Sequence, residues 1–186
     1  MITFEEIVKN EEVQELVLAV EQQLKVLGYT EHSIRHMNLV AKRAGMILEE
    51  LEYPSERIEL ARIAGYLHDI GNAVNRVDHA HTGAILAFEI LKDMGMETKQ
   101  RTEIMMAIGN HDENTGTAVS DISAALILAD KSDVHRDRVV NKNLSNFDIH
   151  DRVNYAVTNA ELKIDKNERK IALALDIDTQ ICPVLD

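Results

Sequence analysis

The stretch "GYLHDIGN", residues 65–72, places an imidazole beside a carboxylate, with His68 next to Asp69. Adjacent side chains on an α-helix point about 100° apart, so the two could not share one target in the middle of a helix. The preceding residues, "ERIELARIA", have helical apolar spacing and are expected to follow a cap at Ser55. We expect this helix to end near Gly71, where adjacent side chains can converge.

Apolar residues repeat at intervals of three and four up to about residue 140, which predicts a helical protein. Thr3 and Glu6 have the spacing of a capping box at the start of the first helix. Glycine, proline and polar caps divide the run into successive helices. The expected spans are residues 3–28, 30–51, 55–71, 78–95, 98–111 and 120–139, with Asp78 and Ser120 as the caps of the fourth and sixth helices.

The C-terminal segment has a different pattern. Two alternating runs, "VNYAVTNAELKI" and "RKIALALDI", flank the turn-forming residues "DKNE", which indicates a β-hairpin. Because an isolated hairpin is only marginally stable in water, it must pack on the helices, pair with another subunit, or belong to a larger β element. The predicted organisation is an all-α helical bundle over residues 1–140 and a C-terminal β-hairpin extension over residues 141–186.

Composition and charge narrow the classes of partner. The 186 residues include 32 Asp and Glu against 20 Lys and Arg, a net charge of −12 that repels nucleic acid duplexes and anionic membrane surfaces. A small phosphorylated substrate is still compatible, because bound divalent cations can dominate the field within one pocket. Cys182 is the single cysteine, which excludes an internal disulfide and a cysteine-rich zinc site. No apolar run has the length of a membrane span, so we expect a cytoplasmic protein.

The eight histidines are unevenly spread, with six of them between residues 32 and 111. His32 and His36 are four residues apart and share one helix face. Asp130 follows an apolar run, where a carboxylate is costly to bury unless a cation compensates it. A single helical histidine is more often a surface or hydrogen-bonded core residue than a ligand. Together, however, imidazoles and carboxylates without thiolates indicate a mixed nitrogen and oxygen metal site.

Three segments in order, "HMNLVAKRA" from His36, "LHDIGN" and "LADKSD", resemble the H, HD, D signature of the HD-domain metal-dependent phosphohydrolases. The resemblance covers about residues 30 to 140. "HAHTGA" and "AIGNHDE" are similar to two further motifs of the family members with additional histidines, and the H-x-x-x-G spacing before Gly83 favours His79 over His81. The metal ligands that this resemblance implies are His36, His68, Asp69, His79, His111 and Asp130.

The same resemblance implies an all-α HD-domain helical bundle that holds two divalent cations bridged by Asp69, from among Fe, Mn, Ni, Zn and Mg. It implies a phosphohydrolase in which a metal-activated water cleaves a phosphoester or phosphoanhydride of a nucleotide or small phosphorylated metabolite. His68 and Asp69 are then the catalytic residues. Asp133, three residues after Asp130, could support a histidine ligand. His32 is a weak candidate to protonate the leaving group, and a hydrogen-bonding or solvent-exposed role is favoured for it.

Asn72 stands where relatives often carry a lysine that can meet phosphate. Arg136, Arg35 and Arg76 are the candidates to supply that charge, and Arg136 resembles a basic residue found after the last Asp in diadenosine tetraphosphate hydrolases of the superfamily. The GYP motif of the cyclic di-GMP phosphodiesterases is absent, since "DENTGTAVS" follows the "NH" of residues 110–111. That substrate is therefore disfavoured.

Two other interpretations stay open at this point. In the first, the chain is a non-catalytic regulatory or interaction module that keeps its metal as a cross-link. In the second, it is a single-metal hydrolase in which His79 and His111 contact phosphate, and the ligands are His36, His68, Asp69 and Asp130. The substrate, the metal and the oligomeric state do not follow from the sequence, and a homodimer is one option.

Overall fold

A computed structural model describes residues 2–27, 34–113, 115–139, 147 and 149–182 of the chain. The described part is a body of helices with a two-stranded antiparallel sheet near the C-terminus, which confirms the predicted fold class. Within these residues, no helix is both long and apolar enough to cross a membrane. The elements in chain order are α1 Phe4–Lys9, α2 Glu11–Leu27, α3 Ile34–Glu50, α4 Ser55–Leu67, α5 His79–Asp93, α6 Thr98–Gly109, α7 Asp121–Lys131, α8 Ile149–Ala156, β1 Val157–Asp165 and β2 Lys170–Ile177, with 3₁₀ turns at Ile70–Ala73 and Arg136–Arg138.

Helix α4 lies at the centre of the helical body, where it packs against α1, α3, α6 and α7. Its second half carries apolar or small residues on nearly every side, and of Leu60–Leu67 only Arg62 is not buried. A helix that is apolar all round is suited to an interior position. Because His68 directly follows α4, this core packing places the His68–Asp69 pair inside the protein.

The first predicted helix is two helices, separated at Asn10. The backbone of Asn10 is extended, and its side-chain Oδ1 accepts a hydrogen bond from Val13 N at 3.1 Å, as an N-cap residue does. The capping box of Thr3 and Glu6 is confirmed, with both of its hydrogen bonds present. Residues 28 and 30, at which the sequence placed the end of one helix and the start of the next, lie outside the described residues.

Of the other three predicted caps, Ser55 is wrong, Asp78 occupies the predicted N-cap position without a side-chain bond, and Ser120 is confirmed. Ser55 is the first residue of α4 rather than its cap, and Pro54 before it makes no side-chain capping bond. Asp78 precedes α5 in a left-handed conformation, with φ 59°, and its side chain does not cap the helix. Ser120 is confirmed as a cap, because its hydroxyl accepts a hydrogen bond from Ser123 N at 3.1 Å.

Helix α7 ends at Lys131, well before the predicted end at residue 139. Ser132 follows it, and the Ser132 hydroxyl donates to the carbonyl of Ala129 at 2.7 Å. Short polar side chains that bond the local backbone compete with continuation of a helix. The chain therefore turns after Lys131, which leaves Asp130 in the last turn of a helix.

Gly71 has a different role from the predicted one, since α4 ends at Leu67 and Gly71 lies within a 3₁₀ turn. A Cβ atom on Gly71 would lie 2.0 Å from the carbonyl oxygen of His79 and 2.5 Å from the backbone nitrogen of Gly83. A Cβ atom on Gly83 would in turn lie 3.2 Å from Gly71 N. The two glycines thus allow the start of α5 to pack directly on the 3₁₀ turn that follows Asp69.

The C-terminal hairpin is confirmed, although residues 153–156, predicted as strand, belong to α8. In the antiparallel register Leu162 pairs with Leu173, and the side chains of Leu162 and Ile164 pack against the helical core. Arg43 of α3 donates to the carbonyl of Ala160 at 2.9 Å. The hairpin therefore packs on the helices, the first of the three alternatives. The division into residues 1–140 and 141–186 stays a prediction.

Candidate metal centre

The end of helix α4 brings the two adjacent side chains together. His68 still has helical dihedral angles, whereas Asp69, with φ −99° and ψ 1°, has left the helix. This change of backbone direction places His68 Nε2 3.3 Å from Asp69 Oδ2. Both side chains are buried. The predicted convergence at the helix end is therefore present.

Three further buried histidines surround this pair, and in all four histidines, His68 included, the Nδ1–H of the ring donates to a fixed acceptor. An imidazole whose Nδ1 carries the proton presents the lone pair of Nε2 to a metal. The acceptors are the carboxylate of Asp133 for His36 at 2.7 Å, and main-chain carbonyl oxygens for the others: Gly65 for His68 at 2.8 Å, Arg76 for His79 at 3.2 Å and Ile108 for His111 at 2.6 Å. The backbone thus orients three of the four rings.

The Nε2 atoms of the histidines point toward the two carboxylates. His36 Nε2 lies 3.3 Å from His68 Nε2 and 3.3 Å from Asp130 Oδ1. The two oxygens of Asp69 face different histidines, since Oδ2 lies 3.3 Å from His68 Nε2 and Oδ1 lies 3.5 Å from His79 Nε2. A carboxylate in this orientation can contact one cation with each oxygen.

Two groups of side chains could each hold a cation. One consists of His36, His68 and Asp130, the other of His68, Asp69 and His111, and the ligand atoms of each group lie within 4.8 Å of one another. The ring of His111 meets those of His68 and His79 edge to face, with centroids 5.0 and 5.1 Å apart. Imidazole nitrogen and carboxylate oxygen suit first-row divalent ions, so the residues present fit the expected metals.

The ionisation of these groups reflects a concentration of buried negative charge. Burial lowers the pKa of His68, but the charges of Asp69 and Asp130 outweigh burial and raise it to about 10. Burial and the charge of His68 lower the pKa of His111 to about 4, and burial also lowers the pKa of His79. Burial raises the pKa of Asp130, but its hydrogen bonds with the neighbouring histidines hold it well below the usual value. A bound cation would occupy the place of the His68 proton.

Arg76 is the predicted phosphate ligand that lies against the centre. Its Nη1 is 3.3 Å from His79 Nε2 and 3.3 Å from Asn72 Oδ1. Asn72 is buried, and its Nδ2 donates both to Asp69 Oδ1 and to the Asp69 carbonyl, each at 2.9 Å. Asn72 therefore orients the HD carboxylate and contacts Arg76 with its other end.

The other two arginines make their described contacts with residues other than the six predicted ligands. Arg35 pairs with Asp133, Nη2 to Oδ2 at 3.2 Å, so its charge lies behind the ring of His36. The guanidinium of Arg136 lies over the ring of Tyr155, 5.6 Å from the centroid. No hydrogen bond or ion pair described in this structure joins Arg136 to the six predicted ligands.

Two residues of the centre were not singled out as functional in the sequence. Asn72 was noticed as a departure from the family pattern, but its bond to Asp69 was not expected. Lys131 was missed, and its Nζ lies 3.0 Å from Asp130 Oδ2. The one available signal for Lys131 was its position next to Asp130 in the sequence.

The other residues considered in the sequence differ in where they lie relative to the candidate centre. His81 is exposed and lies 3.7 Å from Asp78 Oδ1, whereas His79, two residues earlier, is buried beside Asp69. Residue 32 lies outside the described residues. Asp133 makes the predicted contact with a histidine ligand, since it accepts from His36.

Comparisons with known proteins agree with this geometry. The family model of the HD domain matches residues 31–171, well over half of the chain. The chain therefore belongs to the HD domain family. A solved structure, that of a predicted HD superfamily hydrolase from an uncultured Thermotogales bacterium, is similar with a TM-score of 0.51 and 29% identity, over 66% of this chain and 68% of the other.

Curated relatives include Ribonuclease Y of Enterococcus faecalis, 31% identical over 131 residues, which are 67% of this chain and 24% of the relative. The uncharacterized protein MJ1020 of Methanocaldococcus jannaschii is 31% identical over 162 residues, covering 73% of this chain and 60% of that protein. The chain thus spans about a quarter of the length of the Ribonuclease Y relative, for which the match covers 24%.

Proposed function

We propose that this protein is a metal-dependent hydrolase of phosphoester or phosphoanhydride bonds. The observation that carries the proposal is the convergence of buried histidine nitrogens on Asp69 and Asp130, with the two oxygens of Asp69 directed at different histidines. Membership of the HD domain family and the similarity to a predicted HD superfamily hydrolase support the same class of enzyme.

In this proposal the two cations are held by six side chains. Divalent cations bound there supply Lewis acidity to phosphate oxygens and to water. The fixed Nδ1–H bonds keep the Nε2 lone pairs directed inward, and the buried carboxylates compensate the cationic charge. The ligands in this assignment are His36, His68, Asp69, His79, His111 and Asp130, with His68 and Asp69 as the catalytic residues at the centre.

Arg76 is the side chain that we assign to the substrate phosphate. It reaches the edge of the centre from a partly buried position, and Asn72 holds one of its guanidinium nitrogens by a hydrogen bond. Negative charge develops on the phosphoryl group and its leaving oxygen during hydrolysis, and a positioned guanidinium can stabilise this charge. Arg35 and Arg136 are the remaining candidates for more distant phosphate groups of a longer substrate.

The relatives help to define the substrate class. Ribonuclease Y, by its name, acts on RNA, which favours a phosphodiester as the bond cleaved by this chain as well. The net charge of −12 disfavours a large polyanion, so we propose a small phosphorylated compound, with nucleotides as the leading class.

Metal content and turnover test this proposal directly. Protein purified without chelator is analysed for metals, and hydrolysis of a synthetic phosphodiester and of nucleotides is assayed with Mn²⁺ and Ni²⁺. We expect two metals per chain together with hydrolysis. One metal with hydrolysis supports the single-metal alternative, whereas bound metal without hydrolysis of any substrate supports the regulatory module and contradicts the proposed function.

Two substitutions on helix α5 provide a matched comparison. His79→Ala removes a buried ring beside Asp69, whereas His81→Ala removes an exposed ring two residues away. We expect His79→Ala to lower turnover by at least about a hundredfold and His81→Ala to leave it unchanged. Wild-type metal content and activity in both Asp69→Ala and His68→Ala would show that the assignment is wrong.

A further inference from the structure

Strand β2 lies at an edge of the sheet. Of the described residues, β1 alone forms a strand pair with it, from Asp165 opposite Lys170 to Val157 opposite Ile177. An edge strand presents unpaired backbone N–H and C=O groups, which another strand can bind. Proteins often protect such edges with a proline, a bulge or a charge in the middle of the strand. The central five residues of β2, "IALAL", contain none of these.

One face of this strand is apolar and only partly covered. Residues opposite each other in an antiparallel pair lie on the same face, so Ile171 and Leu173 share a face with Ile164 and Leu162. The β1 residues of this face pack against the helical core, whereas Ile171 and Leu173 are 37% and 38% exposed. The apolar face therefore extends beyond the helices that cover its β1 half.

The sequence of β2 is self-complementary about Leu173. When "KIALALD", residues 170–176, is paired antiparallel with a second copy of itself about this residue, Lys170 lies opposite Asp176 at both ends. Within the same register Ile171 lies opposite Leu175, and Ala172 lies opposite Ala174. Every cross-strand pair then matches either charge with opposite charge or apolar residue with apolar residue.

We propose that β2 pairs antiparallel with β2 of a second copy of this chain, centred on Leu173, to form a four-stranded sheet across a two-fold axis. The occupant is a second copy because both ion pairs arise from the two ends of the same strand, as a two-fold interface requires. The apolar rows of the two copies become continuous on one face of the sheet.

Charge substitutions distinguish this pairing from other forms of association. Lys170→Asp places like charges opposite Asp176, and Asp176→Lys places like charges opposite Lys170, so each variant is mismatched with itself. A heterodimer of the two variants has both pairs restored. We expect wild-type protein to be a dimer by sedimentation velocity, each single variant to dimerise roughly tenfold more weakly, and an equimolar mixture of the variants to recover the dimer.

The mixture also controls for effects within one hairpin. Lys170 and Asp176 lie opposite Asp165 and Asn159 of their own β1, and any damage to those pairs persists in the mixture. Recovery of the dimer therefore reports on pairing between chains alone. A mixture that stays as monomeric as its components overturns the proposed register.

A substitution on the two-fold axis tests the location of the interface. Leu173→Glu places two carboxylates opposite each other and is expected to yield a monomer. Leu128→Glu is the matched control, because Leu128 is 40% exposed on helix α7, and this variant should keep the wild-type mass. Circular dichroism and metal content, which do not depend on β2 pairing, verify that both variants are folded. A monomeric wild-type protein, or a dimeric Leu173→Glu variant, contradicts the proposal.

Discussion

His36 is held differently from the other three histidines of the candidate metal centre. The rings of His68, His79 and His111 donate to main-chain carbonyl oxygens. A substitution at the residue that carries such an oxygen changes its side chain and leaves the acceptor in place. The ring of His36 depends on the side chain of Asp133. Burial raises the pKa of Asp133, but the hydrogen bond with His36 and the charges of Arg138 and Arg35 more than offset burial and hold this pKa below its usual value, so the acceptor is ionised.

Asp133→Asn tests this dependence with little change in shape. The neutral amide is a weaker acceptor for His36 Nδ1–H than a carboxylate, so the Nε2 atom becomes a poorer metal ligand. We expect the affinity for Mn²⁺ to fall roughly 10- to 100-fold, measured by calorimetric titration. Asp137→Asn, the same change at a side chain that is 69% exposed, should have no effect. Equal Mn²⁺ affinities in the two variants would show that Asp133 does not support metal binding.

Metal binding should also release a proton from His68. In the metal-free protein the pKa of His68 is raised to about 10, so its ring is protonated at neutral pH. A cation must displace this proton, and we expect the apparent metal affinity to fall about tenfold for each unit by which the pH is lowered below neutrality. Calorimetry in two buffers with different ionisation enthalpies measures the release directly. Binding without release of about one proton would contradict the protonated state of His68.

Among the structural elements, the contact between the 3₁₀ turn and helix α5 decides whether the site assembles. It brings His79 beside Asp69, and it requires that Gly71 has no side chain, whereas a Cβ on Gly83 would make only a tight contact at 3.2 Å. The motifs that contain these glycines therefore indicate a close contact between two segments of the backbone as well as candidate metal ligands.

Gly71→Ala should move helix α5 away from the 3₁₀ turn. Its Cβ would lie 2.0 Å from the carbonyl oxygen of His79, so the backbone of α5 must shift. We expect a loss of roughly 1–3 kcal/mol in the free energy of unfolding, from denaturant titration, together with lower metal content. Gly109→Ala is the control, since its Cβ would lie 3.5 Å from Ala84 Cβ, an ordinary contact, and should be neutral or stabilise by up to about 1 kcal/mol. Similar stability of the two variants would contradict the role of the close approach.

The sequence predicted the elements whose ends carry strong local signals, such as the capping box at Thr3 and the cap at Ser120. It failed at Asn10 and Ser132, because a short polar residue within an apolar periodicity can either remain in a helix or end it. The alternation at residues 153–156 was similarly ambiguous, and these residues are helical. Whether such a residue continues a helix, ends it or lies in a strand depends on tertiary contacts, which the local sequence pattern does not reveal.

Across the whole molecule, a network around Arg57 joins helices α4, α6 and α7. Arg57 Nε donates to Asp121 Oδ2 at 2.9 Å, and the same guanidinium pairs with Glu103. The hydrogen bond from Arg57 lowers the pKa of Asp121. Because the folded pKa is below the unfolded value, this stabilisation is complete above about pH 4 and is lost as the pH falls through the folded pKa.

Asp121→Asn should therefore destabilise the protein in a pH-dependent way. The pair is partly exposed, and we expect the variant to lose roughly 1 kcal/mol of unfolding free energy at pH 7, measured by urea titration. The difference should shrink toward zero in strongly acidic buffer. Asp93→Asn, at an exposed position on α5, is the control and should match the wild type throughout. A difference that is constant with pH would contradict the ionic origin of the effect.

At the scale of the molecule, the sequence motifs identified the residues of the candidate metal centre, and helix boundaries indicated which of them could meet. The distances among them, the bond from Asn72 to Asp69 and the pairing of Lys131 with Asp130 depend on how five chain segments pack together. The choice between Arg76 and the other arginines likewise required the approach of Arg76 to His79.

The ligands of the centre are distributed over α3, the end of α4, α5, the end of α6 and α7. One candidate ligand group needs three of these segments and the other needs two, and the six candidate ligands together need all five, so binding of two cations requires that most of the helical body has already assembled. Interactions that form after the folding transition state slow unfolding without accelerating folding. Cations bound at this candidate centre should therefore slow unfolding and lengthen the lifetime of the native state, while the rate at which the chain reaches that state stays the same.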